Sequence, residues 1–442
     1  MNNTISKKDM IVIGLMLFAL FFGAGNLVFP VMLGQLAGTE VWTAMIGFLL
    51  TGVGLPLLGV IAFSYSGKPD LLSLASRVHP IYGIVFTTTL YLTIGPLFAM
   101  PRTGSVSYEI AIKPFIAEQN NTIILLLFTV LFFGISCFLS LNPSKMIDIV
   151  GKWLTPLLIV FIAILTLVVL FNPLGGMQSP QGKYQADALF QGFQEGYLTM
   201  DALAAFVFGI IVINAIKEKG ASTKNKLLLI GVQCSLLAAI ILAVIYTALS
   251  YIGATSVSQL GYLENGGEVL TQISQHYFGV YGNIILGIIV LLACLTTSIG
   301  LTTACSSYLH KLMPRTSYRT YAVVLSIVSA LLANAGLTEL IEISVPVLTT
   351  IYPLAIVLMF LTFLHPLFKG KRQVYWFSLA LTLLVSIVEG LDNSSLNIQW
   401  LHDLYASIFP MYSIGLGWLI PAIIGVALGI IWPSSINNIA ND

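Results

Sequence analysis

Three groups of small or polar residues interrupt long apolar stretches of this chain, and each has the makings of a site for a small charged solute. The first is Gly23-Ala24-Gly25-Asn26, set between Phe21-Phe22 and Leu27-Val28-Phe29-Pro30. Two glycines, an amide and a proline disfavour a continuous helix. Breaking one frees N–H groups at the start of the following half-helix, which suit a carboxylate. It also frees carbonyls at the end of the preceding half, which suit a small cation. Glycine-mediated packing of two helices is the alternative reading of the same residues.

The second group is Tyr197-Leu198-Thr199-Met200-Asp201, followed by Ala202 to Phe206, and the third is Ala293-Cys294-Leu295-Thr296-Thr297-Ser298. A carboxylate inside a membrane helix costs about 2.5–3.5 kcal/mol on insertion scales, so Asp201 should face a cavity or a cation unless it serves as a structural hydrogen-bond acceptor. Consecutive hydroxyls beside a helix carbonyl can coordinate sodium; they can also bond back to their own preceding turn.

What positions these residues is a membrane. The chain has 442 residues, 57% of them hydrophobic and 8% charged, against about 25% charged in an average soluble domain. Apolar runs long enough to span a bilayer fall at about 10–33, 41–66, 80–101, 121–140, 147–171, 190–216, 225–253, 282–310, 318–336, 339–364, 373–391 and 410–432. The run after Lys7-Lys8 is too long for a signal-peptide core and reads as a retained first span. At a rise of about 1.5 Å per residue, Gly23 to Asn26 lie about 20 Å deep and Asp201 about 16 Å deep, with Thr296 near the midplane too. That agreement in depth joins three separate segments into one expected site. The outer loop from Ala254 to Gly282 is expected to carry a short surface helix over Val269 to Phe278, and no separate soluble domain is expected.

Of the 19 basic residues, only Arg102, Lys113 and Lys183 fall on one side of this arrangement; the rest, among them Lys7, Lys145, Lys152, Lys217, Lys311 and Arg372, fall on the other. The positive-inside rule therefore puts both termini in the cytoplasm. A net charge of +1 gives no reason to expect nucleic acid as a partner. The four cysteines lie in apolar segments without metal or redox spacing. An intramembrane enzyme is disfavoured because His79, His276, His310, His365 and His402 all fall in loops or at span ends. A channel would call for repeated pore segments or charged rings, and neither is visible.

Gly23-Ala24-Gly25-Asn26 with Phe29-Pro30, the Tyr197 to Gly209 segment and Thr350-Ile351-Tyr352-Pro353 resemble the BrnQ-type branched-chain amino acid:cation symporters, the LIVCS family, across essentially the whole chain. The first and eighth spans more distantly resemble the sodium-coupled leucine-transporter fold. The resemblance implies an all-α membrane protein of about 12 transmembrane helices with broken helices 1 and 6. It further implies a 5+5 inverted repeat within a single domain over 1–442, with repeats at 10–171 and 190–364 and two peripheral helices at 373–432.

The implied activity is symport of leucine, isoleucine and valine into the cell, coupled to Na+ and without an organic cofactor or obligate protein partner. The implied location is the bacterial cytoplasmic membrane. Proton coupling, with another small apolar amino acid as substrate, is the nearest alternative.

By the same resemblance, one sodium would meet the carbonyls of Ala19, Phe22 and Ala293 and the hydroxyls of Thr296 and Thr297. A second cation or a proton would use Phe21, Asn26 and Asp201, although the leucine-transporter pattern has a threonine at the Asp201 position. The substrate would be held by Gly23, Ala24, Gly25 and Thr297, by Tyr91 unless that ring only packs, and by Phe206 as an aromatic lid. The arginine which that pattern carries just before its Phe-Pro is absent and one residue fewer separates Asn26 from Pro30, so no outer gate is assigned; Arg102, Glu339 and Glu342 are the alternatives for one.

Overall fold

The structure, a computed structural model, describes residues 6–116, 121–141, 155–220, 223–394 and 398–433. Among these the regular structure is helical, without strands. Helix α1 (Lys7–Phe21) begins where the Ser6 hydroxyl accepts the Asp9 N–H at 3.1 Å. Phe22 and an extended Gly23 (φ −118°, ψ −162°) interrupt it before α2 (Ala24–Ala37). Pro30 inside α2 has no N–H to give the Asn26 carbonyl, which loosens the first turns of that half-helix further. The first span is thus broken where its glycines predict.

Gly38, with a positive φ of 51°, ends α2, and the chain returns through α3 (Val41–Leu49) and α4 (Leu55–Ser66). A π turn over Leu50–Gly54 joins these two, and in it Thr51 donates to the Phe193 carbonyl at 2.7 Å. After α5 (Leu71–Ala75), the third span consists of α6 (Pro80–Leu92) and α7 (Ala99–Ala111), separated by a second π turn with a non-helical Gly95 and Pro96.

The third span does not stop at 101 with Arg102 in an outer loop. Its second half runs on to Ala111, and Arg102 is 2% exposed. An apolarity scan ends at the first charge, but the polar face of α7, with Thr103, Ser105 and Ser107, is buried against protein rather than lipid.

Helices α8 (Asn121–Ser140) and α9 (Thr155–Phe171) follow. Leu127, Leu131 and Phe138 of α8 are 63–71% exposed, as lipid-facing residues should be. The start of the fifth expected span, 147–154, and the basic residues Lys145 and Lys152 lie outside the described residues. The sixth span starts earlier than expected, as α10 (Tyr184–Glu195). It continues through a 3-10 turn over Gly196–Thr199 and a left-handed Met200 (φ 63°) into α11 (Asp201–Glu218), bent by 44°. A positive φ is rare for a side-chain-bearing residue, and it falls on the residue before Asp201.

The long α12 (Lys224–Leu260) aligns the first two spans. Gly14 lies beside Cys234 and Gly34 beside Ser250, so α1 and α2 run parallel to it. Trp42 stacks on Tyr251 and Ser64 lies against Gly231, so α3 and α4 run antiparallel. In α13 (Gly266–Leu312), a non-helical Gly279 (φ 61°) splits off the short outer helix that the sequence suggests. That piece does not lie free on the surface: Val269, Leu270 and Ile273 are buried, and Gly266 packs on the Val28 carbonyl of α2. It covers the outer half of the broken first span.

Helices α14 (Tyr318–Ala333), α15 (Leu337–Leu364), α16 (Arg372–Asp392), α17 (Gln399–Ile408) and α18 (Leu419–Ile431) complete the chain. The last span starts at 419 rather than 410, because Met411 and Gly415 take positive φ and turn the chain before it. Gly425 and Gly429 let α18 close onto the Ser378 and Val374 backbone of α16. Among the described residues, seven continuous segments are long and apolar enough to cross a bilayer, and the bent pair α10–α11 adds an eighth. The shorter α9, α14 and α18, with the hairpin inside Ala24–Ser66, complete the twelve expected passes.

Candidate functional site

The breaks in the first and sixth spans meet. Asn26, on the first turn of α2, folds its side-chain oxygen back to accept the Gly23 N–H at 3.0 Å. Its amide nitrogen donates to Asp201 Oδ2 at 2.5 Å and to the Tyr246 hydroxyl. Tyr246 on α12 in turn donates to the same Asp201 oxygen at 2.9 Å. Asn26, Asp201 and Tyr246 are each 2% exposed or less. A carboxylate at this depth persists only with such donors around it.

Phe21, Gly23, Ala24, Gly25, Asn26, Asp201 and Thr297 line one small cavity. A Cβ on Gly23 would sit 3.3 Å from Thr297 Oγ1, so the eighth span closes directly onto the break. The cavity holds about 40 Å³, room for about three waters.

Beside it, sharing Leu20, opens a vestibule of about 430 Å³ between α1, α11 and α13. Ala19, Tyr91 and Thr296 line this larger space. Asp70 and Lys311 form an ion pair at its margin, joining the loop before α5 to the end of α13. Burial raises the Asp70 pKa, but hydrogen bonds from Lys311 and Ser73 outweigh it and hold the carboxyl below its ordinary value.

The other expected site residues divide between these two spaces and the packing around them. Thr296 and Thr297 both donate to the Ala293 carbonyl, at 2.7 and 3.2 Å, so three of the expected cation ligands converge on one turn of α13. Phe22 stacks on Phe18 and lines neither space. Tyr91 stacks on Tyr308 at 4.3 Å and lines the vestibule rather than the cavity that Gly25 lines. Phe206, expected as the lid, is fully buried and lines neither space; Phe208 lines the cavity in its place. Helical geometry explains the exchange. At about 100° per residue, Phe208 returns to the Asp201 face after seven residues, whereas Phe206 points well away from it. The stripe continues through Ala204 and Phe208 into Ile211 and Asn214 on the vestibule.

The sequence misses one residue of this site and places another at the membrane surface. Tyr246 lies within the long α12, among scattered polar residues such as Gln233, Thr247 and Ser250, and gives no local signal. Arg102 lines the cavity from α7, with its guanidinium 3.3 Å from where a Gly25 Cβ would be. The Gly95-Pro96 break just before it was the available clue.

The geometry is a pair of adjoining spaces around broken helices. Residues 6–436 match the family described as branched-chain amino acid transport protein. The chain is 58% identical over 431 residues to the branched-chain amino acid permease BrnQ of Bacillus subtilis, covering 98% of both chains. It is 43% identical over 423 residues to the branched-chain amino acid transport system 2 carrier protein of Pseudomonas aeruginosa, covering 96% of this chain and 95% of that one.

Among solved structures it is similar to Mhp1, a nucleobase-cation-symport-1 family transporter, in a closed conformation with bromovinylhydantoin bound (TM-score 0.63, 14% identity, 95% and 91% coverage). It is also similar to MhsT in complex with L-phenylalanine (TM-score 0.58, 16% identity, 95% and 97% coverage). These two fix the fold, which is that of the leucine transporter with its broken first and sixth helices. The chain belongs to the branched-chain amino acid transport protein family and is a multi-pass membrane transporter, not an enzyme.

Proposed function

We propose that this protein is a secondary active symporter that brings leucine, isoleucine and valine into a bacterial cell across its cytoplasmic membrane, driven by sodium. The observation that carries this reading is the meeting of the Gly23–Asn26 break with Asp201 and Thr297 around one buried cavity. The names of the relatives supply the substrate class.

Sodium would be held by the carbonyls of Ala19, Phe22 and Ala293 with the hydroxyls of Thr296 and Thr297, an all-oxygen set of the kind a hard cation prefers. The substrate carboxylate would lie at the Ala24 and Gly25 N–H groups, which have no acceptor inside their own helix. Its branched side chain would pack toward the apolar stripe of α11. Rocking of the bundle containing α1–α2 and α10–α11 against its surroundings would then expose the site to the other side. The division into repeats at 10–171 and 190–364, with 373–432 peripheral, belongs to this proposal.

The basic loops, Lys311 and Lys217 among them, put both termini in the cytoplasm. The large vestibule then opens inward, and the outer side is sealed by the 266–278 helix over α2. Uptake of labelled leucine into proteoliposomes with and without an inward sodium gradient tests the coupling; uptake indifferent to the gradient would remove sodium from the mechanism.

Proton coupling is the second reading, favoured by a single observation: Asp201 is buried and already bonded to Asn26 and Tyr246, so a proton could replace a cation there. Under that reading Asp201→Asn uptake loses its pH-dependence, whereas under sodium coupling the sodium-dependence persists and its half-saturation shifts.

A further inference from the structure

Arg102 is a full charge in the middle of the protein without a counter-charge. Among the described residues no carboxylate lies within ion-pair distance of it. Its two bonds go to neutral acceptors, the Leu198 carbonyl at 2.7 Å and the Ser344 hydroxyl at 3.0 Å, and its Nε is buried with no partner. One face of the guanidinium lies 4.9 Å from the centroid of the Phe29 ring. This is an expensive arrangement, because a buried charge is normally paired.

Its location adds to the imbalance. The guanidinium abuts Gly25 in the first turn of α2, where the helix dipole and unpaired N–H groups already present positive charge. Two positive features facing one small cavity, with an unsatisfied N–H in the same group, specify an anion between them. Leu198 belongs to the unwound part of the sixth span, so the same side chain also touches the second broken helix.

We infer that Arg102 binds the α-carboxylate of the transported amino acid, together with the N-terminal N–H groups of α2. This rests on the amino acid transport reading above and deepens it. The planar guanidinium matches a carboxylate with paired hydrogen bonds, a geometry lysine cannot reproduce. Gly25 is small because this anion, the Phe29 ring and the guanidinium share the space a Cβ would take: the nearest ring carbon is 3.0 Å from that position. The carboxylate displaces none of the Asp201 bonds, which leaves Asp201, on the lining of the same cavity, for a cation or the substrate ammonium.

The test compares leucine with leucinamide, which keeps the side chain and amine but has no carboxylate charge. Affinities of the full-length purified protein for each are read from ligand-dependent thermal stabilisation, which also detects weak binding. Wild-type protein should prefer leucine strongly. In Arg102→Gln, leucine affinity should fall about 30-fold or more, while leucinamide affinity stays within about 3-fold, so that the preference collapses. Should Arg102→Gln not fold, Arg102→Lys carries the test, because it keeps the charge but loses the fork and should reduce the preference by about 10-fold. Ser344→Ala removes one neutral contact and should leave the preference intact.

An unaltered leucine preference in either Arg102 variant overturns the inference. So does an equal collapse in Ser344→Ala, which would trace the effect to helix linkage. A wild-type protein that binds neither compound overturns the transport reading itself, which is a different result.

Discussion

Gly25 shows how far a single residue can be read. Its type and spacing point to a helix break at the right depth, and the structure explains the lack of a side chain by the Phe29 ring and Arg102 Nη1, 3.0 and 3.3 Å from the would-be Cβ. The helical preference for alanine over glycine, up to about 1 kcal/mol, offsets the pressure of the new methyl on the Phe29 ring edge and the Arg102 side chain. Gly25→Ala should therefore yield a folded protein, with unchanged detergent chromatography, whose leucine uptake is reduced at least about tenfold, the penalty for 1.4 kcal/mol of lost binding. Normal transport by that variant would count heavily against the site. Asn26, Asp201 and Thr297 were legible in the same way, because a polar residue in an apolar run has few reasons to be there. Arg102 was not. It stands at the end of an apolar run, where a charge ordinarily marks the membrane surface, and only packing against α15 and the unwound sixth span shows it to be inside.

Among the elements, the breaks at Gly23 and Met200 are of different kinds. The first is written in glycines and a proline, whereas the second rests on a left-handed methionine that no local rule predicts. The two π turns, over Leu50–Gly54 and Thr93–Leu97, were also invisible in a scan for apolar length. At the vestibule margin, Asp70 and Lys311 tie the loop before α5 to the end of α13, and the Asp70 pKa is held below its ordinary value of 3.8. A carboxyl with a lowered native pKa stabilises the fold fully above its ordinary pKa, and loses that contribution as the pH falls through the lowered one. Lys311→Met should lower thermal stability at pH 7 by no more than about 1 kcal/mol, since the lysine is largely exposed. In acid, with Asp70 protonated, the two proteins should converge. A stability gap that persists unchanged into acid would show that Lys311 acts through packing instead.

At the scale of the whole molecule, a cavity of about 40 Å³ adjoins a vestibule of about 430 Å³, and on the proposed orientation that vestibule faces the cytoplasm. Single cysteines placed at Asn214 and Ser307, in a background without the four native thiols, should react with a membrane-impermeant maleimide from the cytoplasmic face only. Leucine with sodium should slow that reaction at least severalfold. Labelling from the outer face would reverse the assigned orientation. Composition and hydropathy by themselves determined a twelve-pass helical membrane protein, and the Gly23 to Asn26 run determined the break in its first span. They could do so because a bilayer penalises every exposed polar group and so leaves a linear record of depth. Which polar groups meet at that depth is not recorded in that way. The exchange of Phe206 for Phe208, the partnership of Tyr246 with Asp201, and the burial of Arg102 depend on helix rotation and on contacts between residues far apart in the chain, and only the tertiary structure decided them.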